Sequence, residues 1–429
     1  MAFTTIQGSG ATDATSFVGT AGVDSVLVLN PTTTTAASGG NYVEAQASGD
    51  LVTFNSFTGA VTGGTTVFGG QGNDTITANL NTIVGGYING NKDVDTIGSA
   101  TTSFNSVEVY GGQGADVINA LNLTGGFING NKNADNITTA AGGTVSGAVY
   151  GGQGVDNITI SGNAIGGVVQ GNLDTDVILI NGAASQVQSS TFNGNQGDDQ
   201  LTWDVRTTTV ANNNTVYGGA GNDTLTAAAT ATEEILLSGD NGNDTITKGA
   251  NAQNDTLSGG AGTDTITSAT GTNRIIGGTG ADVMTEGAGT DTFVQGANDS
   301  NAATAFTNNA GGATAINATD VITIDADLIN GFDQANDDLE MGTTTVGSLD
   351  LNTATATTAG INIVYGQYNA GTNTFVAGGT FAAGVAARQD ALVFTNAAGI
   401  ALNNAAAAYG TNAVVVDNLA AALDATNFV

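Results

Sequence analysis

The chain has 429 residues, 65 of them Gly, with one Pro, no Cys and no His. Lys and Arg number 6 against 38 Asp and Glu, and the formal net charge of −32 argues against nucleic acid and anionic membranes as partners. Without histidine there is no Ser-His-Asp triad and no histidine-based zinc motif, and no stretch suits a membrane-spanning helix, so neither an enzyme nor membrane insertion is expected.

The opening MAFTTIQGSGATD has no basic n-region and no apolar h-region, so no N-terminal secretory signal is expected. Residues 1–65 hold two degenerate copies of a turn, GTAGVDSV (19–26) and ASGDLVTF (47–54), and read as an irregular start or cap of the repeat that follows.

From 66 to 295 a glycine-rich unit recurs, clearest in GGQGNDTI (69–76), GGQGADVI (111–118), GGQGVDNI (151–158), GGAGNDTL (218–225), GGAGTDTI (259–266) and GGTGADVM (277–284). Each copy closes on an aspartate two residues before Ile, Leu, Met or Phe. The same offset marks Asp74, Asp95, Asp116, Asp135, Asp156, Asp176, Asp199, Asp223, Asp244, Asp255, Asp264, Asp282 and Asp291. Glycines at the first, second and fourth positions permit positive φ and let carbonyls turn toward a cation. With the carboxylates they offer the oxygen-only shell that Ca²⁺ prefers. The candidate metal residues are therefore those aspartates together with Gly69, Gly111, Gly151, Gly218, Gly259 and Gly277.

These units resemble the tandem GGxGxDxUx nonapeptides of the RTX family, secreted proteins whose repeats wind into a right-handed parallel β-roll. The resemblance implies an all-β solenoid with multiple Ca²⁺ ions held between stacked turns and the apolar residue in the core. It also implies an extracellular or cell-surface address, reached by type I secretion through an uncleaved C-terminal signal. The apolar, base-free terminus NAVVVDNLAAALDATNFV (412–429) suits such a signal, an ordinary final strand and helix being the other reading.

The spacing departs from strict nonapeptides. From Asp74 to Asp244 the steps run from 19 to 24 residues, so one coil carries one acidic turn, opposite uncharged segments such as NLNTIVGG (79–86) and ATTSFNSV (100–107). Calcium is expected along one edge. After Asp244 the steps tighten to 11, 9, 18 and 9, with Asn273 inside the long one, so the roll becomes two-sided there with Asn273 a weakened site.

Val67, Ile88, Val109, Ile128, Val149, Val169, Phe192 and Val216 precede the turns and are expected to point inward by strand alternation. Their outward neighbours read Phe68, Asn89, Tyr110, Asn129, Tyr150, Gln170, Asn193 and Tyr217, aromatics before GG turns and amides before GN turns, so the repeat spans two coils of about forty residues. That edge is either a stacking ladder or a surface for another molecule. Lys92 and Lys132, at equivalent turn positions, are expected to screen the aspartates. Trp203 with Arg206 is the one constellation that hints at a polysaccharide lyase or epimerase.

Residues 296–341 read as a polar linker followed by DVITIDADLINGFDQANDDLEM (320–341), which resembles the segment that closes RTX rolls, with Asp327, Asp333 and Asp337 placed to bind one further ion. Residues 342–429 alternate as short strands in a β-rich C-terminal domain. Three functions fit: a structural subunit forming a homo-oligomeric lattice (S-layer) or filament, an adhesin holding cell-surface polysaccharide, or a lyase centred on Arg206.

Overall fold

The structure is a computed structural model. It describes residues 4–7, 16–20, 22–29, 42–55, 64–79, 82–182, 187–205, 214–228, 234–250, 254–296, 299, 301–307, 321–341, 346–348, 360–372, 374–377, 389–396, 413–419, 422–423 and 425–429. Among these residues the regular elements are β-strands and a single 3-10 turn at Ala425–Asn427. The expected all-β parallel roll is what forms. The chain divides into two compact units, Met1–Ala220 with Thr230–Glu233, and Gly221–Ala229 with Glu234–Val429.

In the first unit, each coil places one strand after its aspartate and a second before the next turn. Strands Thr75–Asn79, Thr96–Gly98, Val117–Ala120, Asn136–Thr139, Asn157–Ile160, Val177–Gly182 and Gln200–Val205 stack in parallel as one sheet. Strands Thr65–Gln71, Thr82–Lys92, Ser103–Gln113, Asn122–Lys132, Ala148–Gln153, Val168–Leu173, Thr191–Gln196 and Asn214–Ala220 stack as the other. Both sheets extend into the degenerate N-terminal segment, through Leu51–Asn55, Ser25–Leu29 and Thr4–Gln7 on one face and Tyr42–Glu44 and Ser16–Val18 on the other.

Equal coils stack like on like. Ile118 pairs in register with Ile97 and Ile137, and Val109 with Ile88 and Ile128. All six are completely buried, as are the other pre-turn residues Val67, Val149, Val169, Phe192 and Val216 to within 1% exposure. Period-two alternation in a strand explains this directly, since every second side chain must face the inter-sheet core. Ile118→Asp should therefore cost roughly 3–5 kcal/mol, the scale of an unpaired buried charge. Thr75→Asp, on the partly exposed outward face, should be mild. Chemical denaturation in saturating calcium checks this, and equal losses would contradict the inward and outward assignment.

The second unit repeats the plan with shorter coils. One sheet runs through Thr224–Ala227, Thr245–Lys248, Thr265–Ser268, Val283–Thr285 and Asp327–Asn330. The other runs through Ile235–Asn241, Thr256–Ala261, Arg274–Thr279, Thr292–Val294 and Asp338–Glu340. The aspartate-rich segment thus adds another coil. The roll ends under the last part of the chain: Ala413–Leu419 pairs in parallel with Asp327–Asn330, and Phe428 bridges to Leu339. Ala413–Leu419 continues antiparallel into Gln389–Asn396 and then Gly360–Asn369, so the C-terminal strands grow from the edge of a roll sheet.

Candidate metal centres

Each turn aspartate of the first unit from Asp74 to Asp176 is locked to the next coil through its backbone N–H, which the carboxylate of that coil's aspartate accepts. The backbone N–H of Asp74 donates to Asp95 Oδ1 at 2.8 Å, Asp95 to Asp116 at 2.8 Å, Asp116 to Asp135 at 2.7 Å, Asp135 to Asp156 at 2.7 Å, Asp156 to Asp176 at 2.8 Å and Asp176 to Asp199 at 2.7 Å. In the second unit the same bond joins Asp223 to Asp244, Asp244 to Asp264, Asp264 to Asp282, and Asp282 to Asp327. A second column there runs from Ile235 through Asp255, Asn273 and Asp291 to Asp337.

The aspartates Asp24, Asp50, Asp327 and Asp337 belong to these columns too, Asp24 donating to Asp50 at 2.6 Å and Asp50 to Asp74 at 2.8 Å. Sequence reasoning left Asp24 and Asp50 out because their partners two residues on are Val26 and Val52; admitting Val to the apolar set finds them. Asp327 and Asp337, expected to share one ion with Asp333, stand in opposite columns. Asp333 instead orders its own turn, accepting from Ala335 N–H and Asn336 Nδ2.

With Oδ1 and the backbone engaged, one donor remains. Oδ2 of Asp50, Asp74, Asp95, Asp116, Asp135, Asp156, Asp176, Asp264, Asp282 and Asp327 is buried and accepts no hydrogen bond. Burial pushes these acids up: Asp74 to about 7, Asp95, Asp135, Asp176 and Asp327 to about 8, and Asp116, Asp156 and Asp282 to about 6. Neighbouring column carboxylates raise Asp95 and Asp176 further, while the bonded backbone N–H pulls each the other way. A buried anionic oxygen without a donor costs free energy unless a proton or a cation meets it.

The glycines leave room for that partner. A β-carbon at Gly111 would lie 2.5 Å from Asp116 Oδ2 and 2.7 Å from the carbonyl oxygen of Gly130 in the next coil, so carboxylate and carbonyl converge on one spot. Positive φ was expected at the first, second and fourth positions, but it is confined to the last two, as at Gly70 (110°) and Gly72 (105°). The first glycine is required by this close approach instead. In the GN turns Asn91 (78°) and Asp93 (72°) take the left-handed positions, and Asp93 Oδ2 accepts the N–H of Gly72 across the coil gap at 2.8 Å. No group of three or more acidic, His or Cys side chains converges among the described residues, so a cation draws on backbone carbonyls as well. One carboxylate oxygen with turn carbonyls is a donor set suited to Ca²⁺.

Lys92 and Lys132 are exposed and form no ion pair with a column aspartate. Trp203 is core, packed edge-on to Phe192 with centroids 5.6 Å apart. Arg206 lies outside the described residues. On the outer face the aromatic edge is denser than expected. Tyr42, Phe68, Tyr87, Tyr110, Phe127 and Tyr150 form a continuous zigzag, one ring per coil, with centroids 5.1–6.2 Å apart. In the amide coils the ring stands two residues earlier, and Asn89 Nδ2 donates to the hydroxyl of Tyr87 at 2.9 Å. The rings pack against one another, as a stacking ladder does.

The family model for the RTX calcium-binding nonapeptide repeat (4 copies) matches residues 60–86, 209–229, 238–274, 250–284 and 267–297. Searches of curated proteins and of solved structures return no match. The unmatched stretch from 87 to 208 has one acidic turn per coil, yet it carries the same carboxylate column as the matched parts. The chain is thus a carrier of RTX calcium-binding nonapeptide repeats, which bind multiple Ca²⁺ ions.

Proposed function

We propose that this protein is a secreted, calcium-stiffened structural subunit that assembles with its own copies at the cell surface, as a lattice or a filament. The observation that carries this reading is the unbroken succession of aspartate-to-aspartate bonds within each unit. It commits the described residues from Asp24 to Leu339 largely to one repeated structural task. No helix among the described residues is long and apolar enough to cross a membrane. Type I export fits a fold that waits for the higher calcium outside the cell, where sites of roughly 10⁻⁴ to 10⁻³ M suffice.

Strand edges support assembly. Among the described residues Thr4–Gln7 pairs only with Ser25–Leu29, and Ser16–Val18 only with Tyr42–Glu44. Unpaired edges of this kind accept another chain, and heterologous contacts that do not close run on into filaments or sheets. Light scattering should rise when calcium is added, and removal of residues 1–60 should abolish the rise while leaving calcium-induced β-structure in place. A full-length protein that stays monomeric at high concentration in millimolar calcium would defeat the structural reading.

The ring zigzag favours one alternative, an adhesin for cell-surface polysaccharide, because polar Glu44, Asn89 and Glu108 share its face. Retention on an insoluble polysaccharide, lost in Tyr110→Ala without loss of fold, would support it.

A further inference from the structure

The two columns of the second unit differ at the first position of their turns, and the turn from Lys248 to Asp255 is two residues longer than those from Gly259 to Asp264 or from Ser268 to Asn273. In the column of Asp244, Asp264 and Asp282 that position is Gly239, Gly259 or Gly277, and a β-carbon at any of them would come within 3.0 Å of the coil's own Oδ2. In the opposite column, Lys248 is followed on the same sheet by its register partner Ser268, and then by Glu286, which succeeds the paired Thr285. In the turn that starts at Glu286 the glycines keep their places: Gly287 and Gly289 press on the carbonyls of Ala269 and Gly271, as Gly260 and Gly262 press on those of Asp240 and Gly242.

A side chain at the first position therefore enters the space beside the acid or amide that closes the turn. Ser268 Oγ accepts a hydrogen bond from Asn273 Nδ2 at 2.9 Å, which puts an amide nitrogen where other coils have Oδ2. Lys248 goes further. Its side chain is fully buried, its Nζ lies 3.5 Å from Asp255 Oδ2, and it donates a hydrogen bond to the carbonyl of Thr270 in the turn of the following coil. A carboxylate oxygen and a turn carbonyl from the next coil are the kind of donors that converge beside Gly239 and Gly259 of the other column.

We infer that Lys248 is a tethered cation, its ammonium taking the place of a metal ion at the head of the second column, so that Asp255 is closed to calcium. Burial works against the ammonium and pulls its pKa down, and the carboxylate of Asp255 opposes that. Asp255 has Oδ1 bound to the Ile235 N–H at 2.9 Å, so it keeps its ladder role without metal. The column that begins midway along the chain thus starts from a covalently supplied charge.

This inference rests on calcium binding in the glycine column, and the experiment separates the two. Bound calcium per chain is counted by equilibrium dialysis and atomic absorption for the full-length protein, Asp264→Asn, Asp255→Asn and Lys248→Gly. Asp264→Asn should lose at least one ion, Asp255→Asn should bind as many as the parent, and Lys248→Gly should gain one. Loss of an ion in Asp255→Asn while Asp264→Asn also loses one overturns the role of Lys248 alone. No loss in Asp264→Asn is a failure of the calcium reading itself. Should Asp255→Asn not fold, Lys248→Gly decides, and an unchanged count there overturns the inference.

Discussion

In calcium-free buffer at pH 8 the purified chain should give coil-like circular dichroism, and millimolar calcium should convert it to β-structure. Two facts oppose folding without metal. The net charge of −32 is spread over a chain with only six basic residues. The column then buries carboxylates one coil apart, with Oδ2 of Asp74, Asp95, Asp116, Asp135, Asp156 and Asp176 receiving no hydrogen bond. Desolvating each anion costs free energy, and the stack repeats the cost at every coil. The core of each coil is thin, with buried side chains such as Ile97, Ile118 and Val109 contributing a few residues per turn, which leaves little hydrophobic surplus. A cation that binds only the folded turns reverses the balance by linkage, as in other domains whose metal and fold appear together. A β-rich spectrum at pH 8 that calcium leaves unchanged would refute this.

The periodic part of the fold is legible in the residues because each coil obeys a local rule. An aspartate two residues before an apolar side chain fixes both the turn and the direction of the following strand, and stacking then repeats it. Tyr87 and Phe127 escaped because attention to the residue just before the turn hides its neighbour two back, which shares the same face. Asp327 and Asp337 obey the offset, preceding Ile329 and Leu339 by two, but an insertion after Asp299 hides their place in the columns. The pairing of Lys248 with Asp255 was not legible, since it depends on which first-position side chains face inward, and here the turn between them is two residues longer than its neighbours. Aspartates with identical local sequence signals can therefore face different partners, a glycine cradle in one column and a lysine in the other.

Acid should do part of the work of calcium. The metal-free folded state holds its column carboxylates near 6 to 8, with burial the leading cause, whereas the same groups unfolded titrate near 3.8. Between those values the folded chain binds more protons than the unfolded one, so unfolding free energy falls as pH rises. The penalty is absent below about pH 4, grows through the interval, and is complete above about pH 8. Metal-free protein should therefore gain β-structure as the pH is lowered from 8 to 5, because protonated Asp95, Asp135 and Asp176 no longer bury charge. With calcium bound the sign reverses, since protons compete with the ion for the same Oδ2 atoms and acidification lowers stability. Thermal melts followed by circular dichroism at pH 5, 6, 7 and 8, with the protein dialysed free of metal or held in millimolar calcium, should give two curves of opposite slope. Metal-free melting that does not change with pH would mean that the column carboxylates are solvated in the folded chain, and the unpartnered Oδ2 atoms would then no longer point to a cation.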